Sequence, residues 1–177
     1  MVGNDIELLE WILLPEEVDF IRANARGEKN LVRYALQICS LRQTGRFITA
    51  YSDISLRICN YITKQFQIDL LHAPLNIAHA NTESKIKKSV SEFLQFKTLD
   101  ASAYIMIESW LVHNGSLILD KKVLSTAIEA FLVKEKFILP TSSQLMRKVF
   151  SLYSQSKTVE YFQYCCSKFN CATEGIY

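Results

Sequence analysis

Glycine and proline are scarce in this sequence. Only five glycines and three prolines occur in 177 residues, well below their usual combined share of roughly 12%. An all-β fold needs many turns built from these residues, so their scarcity argues against one and favours helices. We expect an all-α protein, either one compact multi-helix domain or two small helical subdomains.

Long apolar runs and a basic leader are also missing. The two longest stretches without a charged residue cover residues 70–82 and 109–119, and both are shorter than the ~18 residues that a membrane helix needs. Residues 1–21 contain six acids and neither lysine nor arginine, unlike a secretory signal. We therefore expect a cytoplasmic protein with no membrane partner.

The residue patterns of common catalytic and metal sites are absent as well. Cys165, Cys166 and Cys171 lack the spacing of a zinc site, and the odd total of five cysteines favours free thiols. The scattered glycines form no phosphate-binding loop, and no histidine or pair of acids follows a catalytic pattern. We expect no metal, no cofactor and no enzymatic activity.

Apolar residues recur at helical spacing along most of the chain. The most apolar segment, Lys29 to Gln43, predicts a central buried helix. The pattern weakens between Leu70 and Ala80, which predicts subdomains at 1–80 and 81–177. The other predicted helices are Asp5 to Leu14, a short one that Gly27 closes, Ser52 to Phe66, Asn81 or Thr82 to Phe96, Thr98 to His113, one capped by Asp120 and a last one beginning at Pro140.

Residues 54–80 have the pattern of a helix-turn-helix. A helix, the tight link Gln67 to Asp69 and a second helix follow one another, and the second helix of such a motif lies in the DNA major groove. Asn76 and His79 would then reach base edges. A helical hairpin that only packs has the same pattern, so both interpretations stay open.

Positive charge is concentrated in blocks although the net charge is only +2. Residues 22–49 sum to +5, residues 82–99 to +2 and residues 136–177 to +3, whereas residues 1–21 sum to −6. Such blocks are typical of solvated helix faces and of phosphate-contacting surfaces. Charge alone does not decide between the two.

Residues 26–46 carry the most distinctive motif. Arg26-Gly27 and Asn30 precede Tyr-Ala-Leu-Gln-Ile-Cys-Ser-Leu-Arg-Gln-Thr-Gly-Arg, which ends at Arg46. This segment resembles the N-terminal domain of bacterial replicative transposases of the Tn-three family, and weaker similarity continues to Pro140. The family commonly has arginine where Leu31 and Glu83 stand and glycine where Arg33 stands.

The resemblance implies a function in DNA transposition. In that family this region is similar to a helical module that binds the terminal inverted repeats of the transposable element, while the catalytic acids lie far downstream in a longer chain. We therefore expect a bacterial, DNA-associated module without the catalytic domain. Its partners would be double-stranded transposon ends and either further domains of a longer transposase or a second copy.

Long cationic side chains are the candidate phosphate contacts. Arg42 has an equally weighted alternative as an ion-pair partner of the acidic N-terminal segment, and the others have the alternative of ordinary exposed helix faces. Together with Asn76 and His79, the candidate DNA-binding residues are Arg42, Arg46, Lys85, Lys87, Lys88 and the weaker pair Arg147 and Lys148.

A helical scaffold for a protein partner or for homodimerisation is the alternative function. It would use the aromatic-rich tail with Tyr161, Phe162, Tyr164 and Phe169. DNA binding should weaken steeply with salt, whereas an apolar interface should be nearly indifferent to it.

Overall fold

The fold is all-α, as predicted. The computed structural model describes residues 6–68, 75, 78–114, 120–152 and 154. Two very short strands, β1 (Lys97–Thr98) and β2 (Phe137–Ile138), pair in parallel, and Tyr51–Asp53 form a 3₁₀ turn. The helices are α1 (Ile6–Leu9), α2 (Pro15–Asn24), α3 (Glu28–Thr44), α4 (Leu56–Gln65), α5 (Ala80–Leu94), α6 (Ala101–Asn114), α7 (Lys121–Lys134) and α8 (residues 142–152).

Local capping signals set several helix ends. Asp120 accepts hydrogen bonds from the backbone N–H groups of Lys122 and Val123 at the start of α7, as predicted. Ser55 caps α4, three residues later than the predicted Ser52, because the 3₁₀ turn occupies residues 51–53. Gly27, with φ +80°, precedes α3 and does not close α2, which ends at Asn24. Its left-handed backbone favours glycine.

Helix α3 is the central buried helix, as its apolar sequence predicted. All residues from Val32 to Leu41 are buried, and the helix packs against α2, α4 and α5. A helix surrounded by other helices must be apolar around most of its circumference. The few polar groups that it carries inward therefore need partners.

The chain divides into two compact units. Unit 1 consists of Met1–Thr98 with Leu132–Ile138, and unit 2 consists of Leu99–Phe131 with Leu139–Tyr177. The sequence placed a boundary near residue 80, but α5 packs on α3 and so belongs to unit 1. The chain leaves unit 1 after Thr98 and returns to it at Leu132.

Residues 132–138 are held in unit 1 by the pairing of β2 with β1. Phe137 is almost completely buried, and the Nζ of Lys97 lies 4.4 Å from the centroid of its ring. In the same way, the Nζ of Lys136 lies 5.1 Å from the ring of Phe96. These cation–π contacts and the backbone pairing hold residues 132–138 in unit 1.

The structure describes only the first half of the predicted helix-turn-helix. Helix α4 corresponds to its first helix, whereas Asn76 and most of the predicted second helix lie outside the described residues. Leu75, Ala78 and His79 are described and are not helical. None of the described helices has the length and apolar character to cross a membrane.

Alkaline pH is expected to destabilise unit 1. Burial raises the pKa of the Cys39 thiol from 9.0 to about 12, and burial also raises the pKa of Tyr51. Both groups keep their protons in the folded state at a pH where they lose them on unfolding, so stability falls above about pH 9 through Cys39 and, above about pH 10, through Tyr51 as well. The expected loss is about 1.4 kcal/mol per pH unit for each group.

Urea unfolding between pH 7 and 10.5 measures this loss. Cys39→Ala should reduce the dependence of the free energy of unfolding on pH by the contribution of one group. Lys64→Ala is the control, because Lys64 is exposed, and it should leave that dependence unchanged. A free energy of unfolding that stays constant up to pH 10.5 would contradict the prediction.

Candidate nucleic-acid interface

Arg42 is engaged in a structural contact within unit 1. Its Nη1 donates to both carboxylate oxygens of Glu17 at 2.7 Å, and its Nη2 donates to the backbone oxygen of Ile12 at 2.7 Å. Glu17 is only 2% exposed and also accepts the N–H of Leu14 at 2.8 Å. The ion-pair alternative for Arg42 is therefore the one found in the structure.

Two glutamines, one on α3 and one on α4, hold the segment between α1 and α2 against these helices. Gln65 donates to the backbone oxygen of Trp11 at 3.0 Å and accepts the N–H of Leu13 at 2.9 Å. Gln43 donates to the backbone oxygen of Glu10. These contacts place the acidic N-terminal segment beside the C-terminal ends of α3 and α4.

A buried polar network joins α3, the 3₁₀ turn and α5. Gln37 donates to the backbone oxygen of Ile48 and to the hydroxyl of Tyr51 at 2.9 Å. The Tyr51 hydroxyl donates in turn to Glu83 at 3.1 Å, and the Nε of Arg33 lies 3.8 Å from the same carboxylate. Arg33 and Glu83 are both buried, so the network satisfies groups that would otherwise be costly to remove from water.

A groove of about 380 Å³ lies above this network. One wall is the face of α5 that carries Ala80, Ser84 and Lys87, and the other is formed by Ile48 and Thr49. Tyr51 and Glu83 complete the lining. Glu83 is the only acid among these described lining residues, and its oxygens accept from Tyr51 and from the N–H of Ala78.

Lys87 is the α5 lysine that lines this groove, and Lys85 and Lys88 are not among its described lining residues. The Nζ of Lys87 lies 5.8 Å from the ring centroid of Phe47, the residue that follows Arg46. Lys85 and Lys88 are exposed, and Lys88 makes a loose surface ion pair with Glu92 at 3.9 Å. Exposed pairs of this kind contribute about 0–1 kcal/mol, so this pair leaves the ammonium accessible to another anion.

The remaining predicted residues of unit 1 are less closely associated with the groove. Arg46 is half-buried, and its backbone oxygen accepts the hydroxyl of Ser40 at 2.8 Å. His79 is exposed at the start of α5, where its side chain caps no backbone N–H. Asn76 lies outside the described residues.

Unit 2 presents a second cationic cleft, of about 430 Å³. Arg147 and Lys148 are exposed on α8, and the Nζ of Lys148 lies 5.5 Å from the ring centroid of Tyr104 on α6. None of the described residues that line the cleft is acidic. The lining residues are Tyr104, Pro140, Gln144, Arg147, Lys148 and Ser151.

Residues 9–152 match the family described as a domain of unknown function, DUF4158. The match covers most of the chain. The protein belongs to the DUF4158 family. No curated protein matches it. In the described part of this DUF4158 domain, no group of three or more histidine, cysteine, aspartate or glutamate side chains is placed to hold a metal ion.

Sequence reasoning missed two features of this DUF4158 domain. Gln144 and Ser151 lie on the same face of α8 as Arg147 and Lys148. The sequence indicates this face, because these polar residues recur at helical spacing on the side away from the buried Leu145. The Arg33–Glu83 contact was also missed. The signal available in the sequence was that both positions depart from the transposase pattern with side chains of opposite charge.

Proposed function

We propose that this DUF4158 domain binds double-stranded DNA, as the transposon-end recognition module of a replicative transposase whose catalytic residues lie elsewhere. The observation that carries the proposal is the charge of the α5 groove. Its only acid among the described lining residues is buried and hydrogen-bonded, so its accessible ionic group is the ammonium of Lys87. The motif at residues 26–46 that resembles such transposases supports the same function.

Two arginines of α3 differ in their contacts from two lysines of α5. Arg33 and Arg42 contact buried carboxylates and hold the fold together. Lys85 and Lys88 are exposed on α5, whose inward residues Ile86 and Val90 are fully buried. A rigid helix that presents several ammonium groups beside a groove suits the DNA backbone, because each phosphate neutralised releases a counterion.

Removal of two α5 lysines tests the proposal. The double variant Lys87→Ala, Lys88→Ala removes the groove lysine and an exposed neighbour. It should bind duplex DNA more weakly and should reduce the slope of log affinity against log salt by about 1.8, since each phosphate that the protein neutralises accounts for about 0.9 of that slope. Fluorescence anisotropy with a randomised duplex, between 50 and 300 mM salt, measures both quantities.

Lys134→Ala is the matched control, because Lys134 is an exposed lysine of unit 1 at the end of α7. The control should keep the salt slope of the unmodified protein. Absence of DNA binding by the folded, unmodified protein at 50 mM salt would refute the proposal.

The scaffold function remains the second candidate because unit 2 exposes large apolar side chains. Ile105 is 67% exposed, Val123 55% and Val112 48%. The aromatic tail residues proposed for this role lie outside the described residues. Self-association that is insensitive to salt, measured by sedimentation equilibrium in a protein that does not bind DNA, would favour this function.

A further inference from the structure

Helix α8 presents a single polar face to solvent. Gln144, Arg147 and Ser151 are exposed, as is Lys148, at positions that follow one another along one side of the helix. The opposite side carries Leu145 and Val149, which are fully buried. The orientation of the polar face is therefore fixed by the core of unit 2.

The start of α8 is also well defined. The hydroxyl oxygen of Thr141 accepts the N–H of Gln144 at 3.4 Å, and its backbone oxygen accepts the N–H of Leu145 at 3.0 Å. These bonds satisfy backbone donors of the first turn, as a helix cap does. Gln144 thus projects from the ordered first turn of a helix, where the base-reading residues of DNA-binding helices are found.

The charge of α8 suits a duplex better than that of α5, the other helix with exposed candidate cations. Residues 142–152 contain two cations and no acid, whereas α5 also carries Glu83 and Glu92. With about 1.5 Å per residue, α8 is about 16 Å long, and the major groove is about 12 Å wide and admits an α-helix.

The side chains on this face match base edges as well as phosphates. The guanidinium of Arg147 can donate two hydrogen bonds to the O6 and N7 of guanine, and the amide of Gln144 can make a bidentate pair with the N6 and N7 of adenine. Lys148, against the ring of Tyr104, and Ser151 lie farther along the helix, where they can contact the phosphate backbone.

We infer that α8 enters the DNA major groove and reads base edges through Gln144 and Arg147, with Lys148 and Ser151 on the adjacent backbone. This inference rests on the proposed function, because it assigns the sequence-reading step of DNA binding to unit 2. It differs from the helix-turn-helix prediction, which placed base reading between residues 54 and 80.

The test begins with selection of bound sequences from a randomised duplex by the full chain. Affinities for the selected site and for single-base variants of it are then compared among the unmodified protein, Gln144→Ala and Arg147→Lys. Arg147→Lys keeps the positive charge but loses the bidentate geometry. It should therefore keep the salt slope and lose a preference of roughly 5- to 150-fold at one guanine position.

Gln144→Ala should lose a comparable preference at a different, adenine position. Lys122→Ala, an exposed cation elsewhere in unit 2, is the matched control and should change neither preference. Circular dichroism melts establish that each variant is folded.

The outcomes separate the two proposals. If the unmodified protein binds DNA but selection enriches no motif, or if both α8 variants keep the original base preferences, the α8 inference is overturned and DNA binding stands. If the folded, unmodified protein does not bind DNA at low salt, the proposed function fails and the α8 inference fails with it. Loss of preference at single positions in both variants supports both proposals.

Discussion

Replacement of Arg42 by alanine is expected to lower the free energy of unfolding by about 2–4 kcal/mol. The change leaves the Glu17 carboxylate buried without its charged partner, and removing one member of a buried pair typically costs 3–5 kcal/mol. The expected loss is smaller than this typical value because the Arg42 side chain is 28% exposed, so water already weakens the ion pair. The backbone oxygen of Ile12 also loses its guanidinium donor.

Urea unfolding measures the effect, with Arg22→Ala as the control because Arg22 is exposed in the last turn of α2. The double variant Glu17→Gln, Arg42→Ala should recover part of the stability, since no carboxylate charge then remains buried. The folded fraction of Arg42→Ala should bind DNA with unchanged affinity. Weaker DNA binding without any loss of stability would instead identify Arg42 as a phosphate contact.

Replacement of Glu83 by alanine is expected to have a similar effect, about 3 kcal/mol, for a different reason. The variant leaves the Arg33 guanidinium buried and removes the acceptor of both Tyr51 and the N–H of Ala78. Buried donors left without an acceptor cost about 1–3 kcal/mol each. The electrostatic attraction between Arg33 and Glu83 contributes less than these lost hydrogen bonds, because the Nε of Arg33 and the nearest carboxylate oxygen of Glu83 are 3.8 Å apart.

A double-mutant cycle with Arg33→Met separates these contributions. The double variant should be less destabilised than the sum of the single variants, by about 1–3 kcal/mol, because neither buried charge then remains without its partner. Glu92→Ala, at the exposed end of α5, is the control and should change stability by less than about 0.5 kcal/mol. Strict additivity of Arg33→Met and Glu83→Ala would show that the two side chains do not interact.

Much of the fold could be predicted because its signals are local. The apolar run of α3, the Asp120 cap and the start of α8 after Pro140 are each encoded within a few residues. The return of residues 132–138 to unit 1 could not be predicted in this way. Two-residue strands have too little pattern to read, and their pairing joins Lys97 to Phe137 across a long stretch of sequence.

The candidate site was less predictable because it depends on which charges meet. The sequence left Arg42 with two equal alternatives, a phosphate contact or an ion pair with the acidic N-terminal segment, and no local pattern decided between them or singled out Glu17, 25 positions away, as the partner. Lys85 and Lys88, in contrast, were predicted as outward residues and are exposed. A helical pattern predicts the side of the helix on which a side chain lies, but not its partner across the fold.

The β1–β2 pair has a consequence for the way the protein is made. The buried cluster around α3 lacks Val133 and Ile138, which pack against it, until residue 138 has been synthesised, so the ribosome must first produce Leu99–Phe131 of unit 2. At 5–20 residues per second, the interval of roughly 40 residues between the two strands takes about 2–8 s. During that time the nascent chain carries an unfinished core around α3, a state in which chaperones have access to apolar surface that the completed protein buries.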